Sequence, residues 1–219
     1  MGRWKQDLRV EQEFAAYMDR YCYPRLKGEK GFSSVERVRD VERQKEGIDV
    51  ILKTKKAEIL VDEKAQSYHI NQNLPTFAFE LSYLAVDGTE RVGWLLNDTL
   101  LTTHYFLLWP FAREPARGRR LQMEDITLLD CLVIEKAALL SMLAGLELTA
   151  ERVWAALPEL RRAEHWGKYP TGQPGIYYYV SDPERYAEEP INLVIAKSRL
   201  RNVAAMEYEV RPEGLKRLK

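Results

Sequence analysis

The stretch "EGIDVILKTKKAEILVDEKAQ", residues 46–66, decides the interpretation of the fold because it reads as two strands with a short connection. Both halves are rich in Ile, Leu and Val, which is typical of strands. Three charged residues, Asp49, Asp62 and Lys64, interrupt them. Aspartate is uncommon in strands, and a buried charge is costly unless it pairs or binds a metal. The stretch therefore predicts either a solvated hairpin face or a metal site.

Strand alternation places several of these polar residues on one face. Side chains at positions i and i+2 point to the same side of a strand, so Asp62 and Lys64 share a face, and Gln66 continues it. If the two strands pair through the connection "KTKKAE", Asp49 comes close to Asp62. Two carboxylates and an ammonium group would then meet near the start of the hairpin.

This set of residues suits one kind of chemistry. Mg²⁺ prefers oxygen ligands and keeps several waters, so that one or two carboxylates are sufficient beside substrate phosphate oxygens. The metal acidifies a bound water and neutralises charge that develops on phosphorus. A nearby ammonium group can orient the attacking water or stabilise the transition state. Asp49, Asp62 and Lys64 are therefore candidate catalytic residues, with Asp49 and Asp62 as metal ligands.

The remaining chain predicts helices and strands in mixture. Helical spacing of apolar residues indicates helices over 7–26 and 33–47, and a tail at 211–219 is expected to fray. Further strands are predicted at 76–84, 91–96, 100–109, 125–134, 176–180 and 191–196, and helices from about 135 and from Thr149. These elements predict an α/β or α+β chain with one central mixed β-sheet flanked by helices.

Composition excludes several classes of protein. The chain has 219 residues, 46% of them hydrophobic, and no net charge, so nucleic-acid binding would depend on local basic patches. Cys22 and Cys131 lack CxxC spacing, and the histidines lack HxH or HExxH spacing, which disfavours zinc sites and a disulfide scaffold. There is neither a long apolar run nor a signal-peptide core, so a cytoplasmic protein without membrane contact is expected.

A family resemblance follows from the same residues. "GID" followed by "VDEK" resembles the PD-(D/E)xK nuclease superfamily, in which an acid opens one strand and an acid-x-Lys triplet lies on the next. Asp49 matches the first acid, Asp62 the second and Lys64 the lysine, whereas Ile48 stands where the motif name has proline. The resemblance covers roughly residues 30–110.

The resemblance implies a fold, a cofactor and a substrate. It implies a restriction-endonuclease-like α/β domain over residues 1–219, using Mg²⁺ or Mn²⁺ to hydrolyse nucleic-acid phosphodiesters, DNA before RNA. Many members add an acid from the preceding helix, for which Glu36, Asp40 or Glu42 is available, and Gln66 resembles a polar position often found after the lysine. A homodimer is compatible with this reading.

Alternatives remain open at this point. One is a non-catalytic domain of the same fold that binds nucleic acid or protein, and another is a hydrolase of small phosphate esters. Glu80 is either a further acid of the site or a residue that faces solvent or a neighbouring cation. The arginines in "REPARGRR", 113–120, are either a phosphate-backbone patch or a solvated loop.

Overall fold

The computed structural model describes residues 3–28, 31–114, 120–186 and 188–219. They divide into two compact units. Unit 1 takes the described residues within Met1–Leu74, Leu101–Lys136 and Ala204–Lys219, and unit 2 takes those within Pro75–Leu100 and Ala137–Val203. The organisation of the chain as a single nuclease-like domain stays a prediction.

Strands dominate the secondary structure. The strands are β1 Phe32–Arg37, β2 Val50–Thr54, β3 Glu58–Ala65, β4 Thr76–Leu84, β5 Glu90–Val92, β6 His104–Ala112, β7 Ile126–Glu135, β8 Gly167–Pro170, β9 Ile176–Val180, β10 Ile191–Ala196, β11 Met206–Arg211 and β12 Gly214–Arg217. The helices are α1 Arg3–Tyr17, α2 Tyr23–Leu26, α3 Val41–Lys45, α4 Lys136–Gly145, α5 Ala150–Arg161 and α6 Lys197–Val203. A π-helical turn, Met18–Cys22, joins α1 to α2, and 3₁₀ turns lie at Ser67–His69 and Met123–Asp125.

Unit 1 is built on a seven-stranded mixed sheet. Its strand order is β1-β2-β3-β6-β7-β11-β12. The pairing of β3 with β6 is parallel, and the other neighbours pair antiparallel. An α/β structure with a mixed sheet is therefore confirmed.

The hairpin of β2 and β3 is stabilised by hydrogen bonds in its turn as well as by its apolar residues. The hydroxyl of Thr54 accepts the N–H groups of Lys56 and Ala57, which closes the connection between the strands. From that turn the register runs from Lys53 opposite Glu58 to Val50 opposite Val61. This register fixes the level at which the two strands separate.

One face of the sheet in unit 1 carries the helical layer. The continuous segment from α1 through the π-helical turn to α2 buries Phe14, Tyr17 and Met18 in the same core cluster as Val61 and Phe106. The helix segment therefore lies on the face of β3 that is opposite to Asp62, since Val61 and Asp62 alternate.

Unit 2 contains a five-stranded antiparallel sheet of order β5-β4-β10-β9-β8. Helices α5 and α6 contact its central strand β10. Arg161 fastens α5 to this unit, because its guanidinium donates to the buried hydroxyl of Ser82 at 2.8 Å and to Glu189 O at 2.6 Å.

Three sequence predictions are wrong. The segment 33–47 forms strand β1 and the short helix α3, because β1 pairs along β2 as an edge strand. Two sheets are present where one central sheet was expected. The tail does not fray but forms the hairpin of β11 and β12, which adds two strands beside β7. Among the described residues, no helix has the length and apolarity to cross a membrane.

Thr103 fixes the start of the parallel pairing between β3 and β6, and its hydroxyl can be tested. Thr103 Oγ1 accepts the N–H of Leu60 at 2.9 Å and donates to Leu60 O at 3.1 Å. Thr103→Val preserves shape but leaves this N–H unsatisfied, so we expect a loss of about 1–3 kcal/mol in the free energy of unfolding. Urea unfolding measures it, and Thr99→Val at an exposed site is the control, expected within about 0.5 kcal/mol of wild type.

Candidate metal site at the separation of two strands

The site lies where β2 and β3 part. The N–H of Asp49 donates to Val61 O at 2.8 Å, which is the last backbone bond between the two segments. One step further, the N–H of Glu63 donates to Asp49 Oδ2 at 2.8 Å. The Asp49 side chain thus replaces a backbone carbonyl in the ladder, and this bond holds its carboxylate at the level of residues 62 and 63.

Asp62 meets Asp49 at this level. Asp62 is only 3% exposed and stands in register with Tyr105 on β6. The Asp49 carboxyl group acts on that of Asp62 and raises its pKa, and Lys64 Nζ lies 2.9 Å from Asp62 Oδ1. The structure therefore brings together the three residues that the sequence singles out, and their catalytic and metal-binding roles stay predictions.

The electrostatics of Asp62 follow from this contact. The pKa of Asp62 is raised to about 7, because burial and the Asp49 carboxylate raise it by more than Lys64 lowers it. The neighbouring carboxylate makes Asp62 harder to ionise, because like charges repel, and a bound cation would offset this repulsion.

Lys64 stays an ammonium group. Burial lowers its pKa, but the carboxylates of Asp62, Asp49 and Glu11 more than compensate, so the pKa lies above the usual value. Lys64 can therefore act as a fixed positive charge and not as a proton acceptor at neutral pH. Gln66 is half-buried and directly follows β3. Its N–H donates to Leu108 O at 3.0 Å, which aligns this residue with β6.

Sequence reasoning missed Glu11. The sequence predicts an acid of the site within 33–47, and Glu11 of α1 is not among the predicted residues. The charge of Glu11 acts on Lys64 and raises its pKa.

Glu36 and Asp40 are both exposed. Glu36 lies on β1, in register with Ile51. The Oδ1 of Asp40 accepts the N–H of Arg43 at 3.0 Å as the N-cap of α3, a capping role that explains its residue type. The predicted helix over 33–47 does not form, because β1 pairs with β2 at the sheet edge, and the role of these two acids in the site stays a prediction.

Two further predictions lie elsewhere. Glu80 is half-buried on β4 in unit 2, in register with Asn192, and its role in the site stays a prediction. In the basic loop, Arg117 and Arg119 lie outside the described residues. Arg113 is exposed and donates to Glu124 O at 3.1 Å, so its guanidinium forms a local hydrogen bond.

The donor set fits a hard, hydrated cation. Within the ranges that the structure describes, no group of three or more His, Cys, Asp or Glu residues could hold a metal ion. Two carboxylates in contact are nevertheless the number that Mg²⁺ or Mn²⁺ uses when water and substrate complete the coordination. Asp49 and Asp62 therefore fit Mg²⁺, and the set does not suit zinc, which prefers nitrogen and sulfur ligands.

No protein-family model, no curated protein and no solved structure matches the chain. The resemblance to PD-(D/E)xK nucleases thus rests on residues 46–66. The geometry of Asp49, Asp62 and Lys64 is the indication of function that the structure offers.

The pKa of Asp62 predicts a pH trend in stability. An unfolded aspartate titrates near pH 3.8, so between about pH 4 and 7 the folded state holds a proton that the unfolded chain has lost. The contribution of this group therefore falls as the pH rises through that window, by on the order of 2–4 kcal/mol in total. Asp62→Asn removes this titration, so the stability of the variant relative to wild type should increase from pH 4.5 to 7.5.

Urea unfolding at several pH values measures this trend. Asp87→Asn is the control, because hydrogen bonds from Thr89 lower the pKa of the exposed Asp87 and it stays ionised through the window. A relative stability of Asp62→Asn that is constant from pH 4.5 to 7.5 would contradict the raised pKa.

Proposed function

We propose that unit 1 is a magnesium-dependent nuclease of restriction-endonuclease-like fold that hydrolyses nucleic-acid phosphodiesters, with DNA as the favoured substrate. The observation that carries the proposal is the convergence of three residues: the Asp49 carboxylate accepts the N–H of Glu63 beside Asp62, and the Lys64 ammonium lies 2.9 Å from Asp62. Their arrangement on adjacent strands of a mixed sheet supports the resemblance, because an acid precedes one strand and an acid-x-Lys triplet lies on the next.

Each residue has a distinct task in this proposal. Asp49 and Asp62 would hold Mg²⁺ or Mn²⁺ through their carboxylates, so Asp62 would have to be ionised when the ion binds. The bound ion supplies an acidified water and neutralises charge on the phosphate. Lys64 keeps its proton and stabilises negative charge at the phosphate through its fixed ammonium group.

A second candidate is favoured by a specific observation. The Lys64–Asp62 ion pair already neutralises one carboxylate without a metal ion, and the described residues offer no cluster of three or more metal-ligating side chains. A domain that had kept the fold but lost turnover would keep such an internally paired group. The rival is therefore a non-catalytic domain that binds nucleic acid or protein.

Activity distinguishes the two candidates. The purified protein should cleave DNA with Mg²⁺ or Mn²⁺, and EDTA should stop it, whereas Ca²⁺ should bind without turnover. Lys64→Ala should lower kcat by about 10²–10³-fold, the usual effect of removing one transition-state charge donor, while the fold persists. Lys53→Ala is the matched control, since Lys53 lies on the same hairpin and its ammonium group pairs with exposed Glu58 at 2.8 Å.

The outcomes separate the candidates. Equal inertness of wild type and Lys64→Ala on single-stranded, double-stranded and branched substrates, together with micromolar binding of one of them, would favour the binding domain. Absence of binding to any nucleic acid at low salt, where phosphate contacts are strongest, would refute both.

A further inference from the structure

A buried polar cluster lies on the opposite side of β3 from the site. The carboxylate of Glu63 accepts a hydrogen bond from Arg37 Nη1 at 2.5 Å and another from the hydroxyl of Tyr23. The Glu63 side chain is only 8% exposed, and the Arg37 guanidinium also packs over the Tyr23 ring, 5.5 Å from its centroid. Burial raises the pKa of Glu63, and Arg37 opposes the rise.

Arg37 connects this cluster to the helical layer. Its guanidinium reaches Asp19 Oδ1 in the π-helical turn at 2.9 Å and Ala15 O in α1 at 3.4 Å. Arg37 itself lies on β1, opposite Val50 of β2. One side chain therefore joins β1, β3 and α1, the helix that also carries Glu11.

Glu63 is bound on both of its sides. Its side chain belongs to the buried cluster, whereas its backbone N–H donates to Asp49 Oδ2. Beyond Val61 the backbone of β3 pairs with β6 alone, because the register with β2 ends at Val50. The position of this part of β3, beyond Val61, determines how close Asp62 and Lys64 come to Asp49.

We propose that Glu63, Arg37 and Tyr23 form a positioning clamp that holds β3 at the height at which Asp49 meets Asp62 and Lys64. The clamp acts from the opposite face of the strand, by fixing Glu63 so that its N–H orients the Asp49 carboxylate. The inference rests on the proposed function for its catalytic meaning, and it adds three positioning residues to the site.

Stability alone does not account for the cluster. Replacing a buried ion pair by apolar residues of similar volume is often neutral or stabilising for a protein. A purely structural cluster could therefore be exchanged without effect on the site, whereas a clamp could not.

The test replaces the Arg37–Glu63 ion pair and measures the effect on the site. The variant Arg37→Met/Glu63→Met removes both charges together and keeps the backbone N–H of residue 63. The matched control, Lys53→Met/Glu58→Met, removes an ion pair of 2.8 Å from the exposed end of the same hairpin. Tyr23→Phe removes a single hydroxyl and keeps the fold even where the double variant does not form.

Two measurements distinguish a positioning role from a purely structural role. The first is hydrogen exchange of the residue 63 amide, which should accelerate at least tenfold in the clamp variant relative to amides of β6 and β7. The second is Mn²⁺ affinity measured by calorimetry, which should fall about 10–100-fold, the usual effect of removing a partner that orients a ligand. For cleavage, kcat should fall while KM for DNA stays unchanged, and Tyr23→Phe should change all three in the same direction by less.

The outcomes separate this inference from the proposed function. If the residue 63 amide and Mn²⁺ affinity are the same in the clamp variant, Tyr23→Phe and the control, the clamp is refuted even though the wild type cleaves DNA. If wild type neither binds Mn²⁺ nor cleaves, the proposed function fails, and the amide still decides whether the cluster positions Asp49. Should the double variant not fold, the amide in Tyr23→Phe decides alone.

Discussion

The backbone N–H of Glu63 needs an acceptor at the point where β2 no longer pairs with β3, and Asp49 Oδ2 provides it. A buried N–H without a partner is costly, so some side chain has to continue the ladder where the strands separate. A carboxylate can accept this bond with one oxygen and present the other to a neighbour. This constraint brings Asp49 against Asp62 and makes the end of the hairpin a place where charge collects.

Burial of this charged group costs free energy of folding. Two carboxyl groups and an ammonium group are less favourable to bury than apolar residues of the same volume. Asp62 is nevertheless 3% exposed and has a pKa raised to about 7. Strongly perturbed acids of this kind are concentrated at functional sites, where a cation or a substrate completes the neutralisation. This is the physical reason to read the group as a site and not as a solvated hairpin face.

Local pattern predicted some elements well and failed where pairing is distant. Strand β4 has the predicted bounds, since apolar alternation between polar turns is a local signal. In 33–47, Val35 and Val38 have helical spacing, but pairing with β2 at the sheet edge overrides it. The proximity of Asp49 to Asp62 was predictable from the hairpin. The contributions of Glu11 and Glu63 were not, because they depend on how α1 and the helical layer lie against β3.

The alternation of β3 explains why one strand can serve two layers. Asp62 and Lys64 face the site, whereas Glu63 between them faces Arg37 and the helices. A shift of one residue in register would exchange these faces, placing Glu63 in the site and two charges in the helical core. Thr103, which bonds both polar backbone groups of Leu60, and Glu63, which is bonded on both sides, hold the strand against such a shift from its two ends. The charge pattern "DEK" thus favours the observed register of the strand, because in it Asp62 pairs with Lys64 and Glu63 pairs with Arg37.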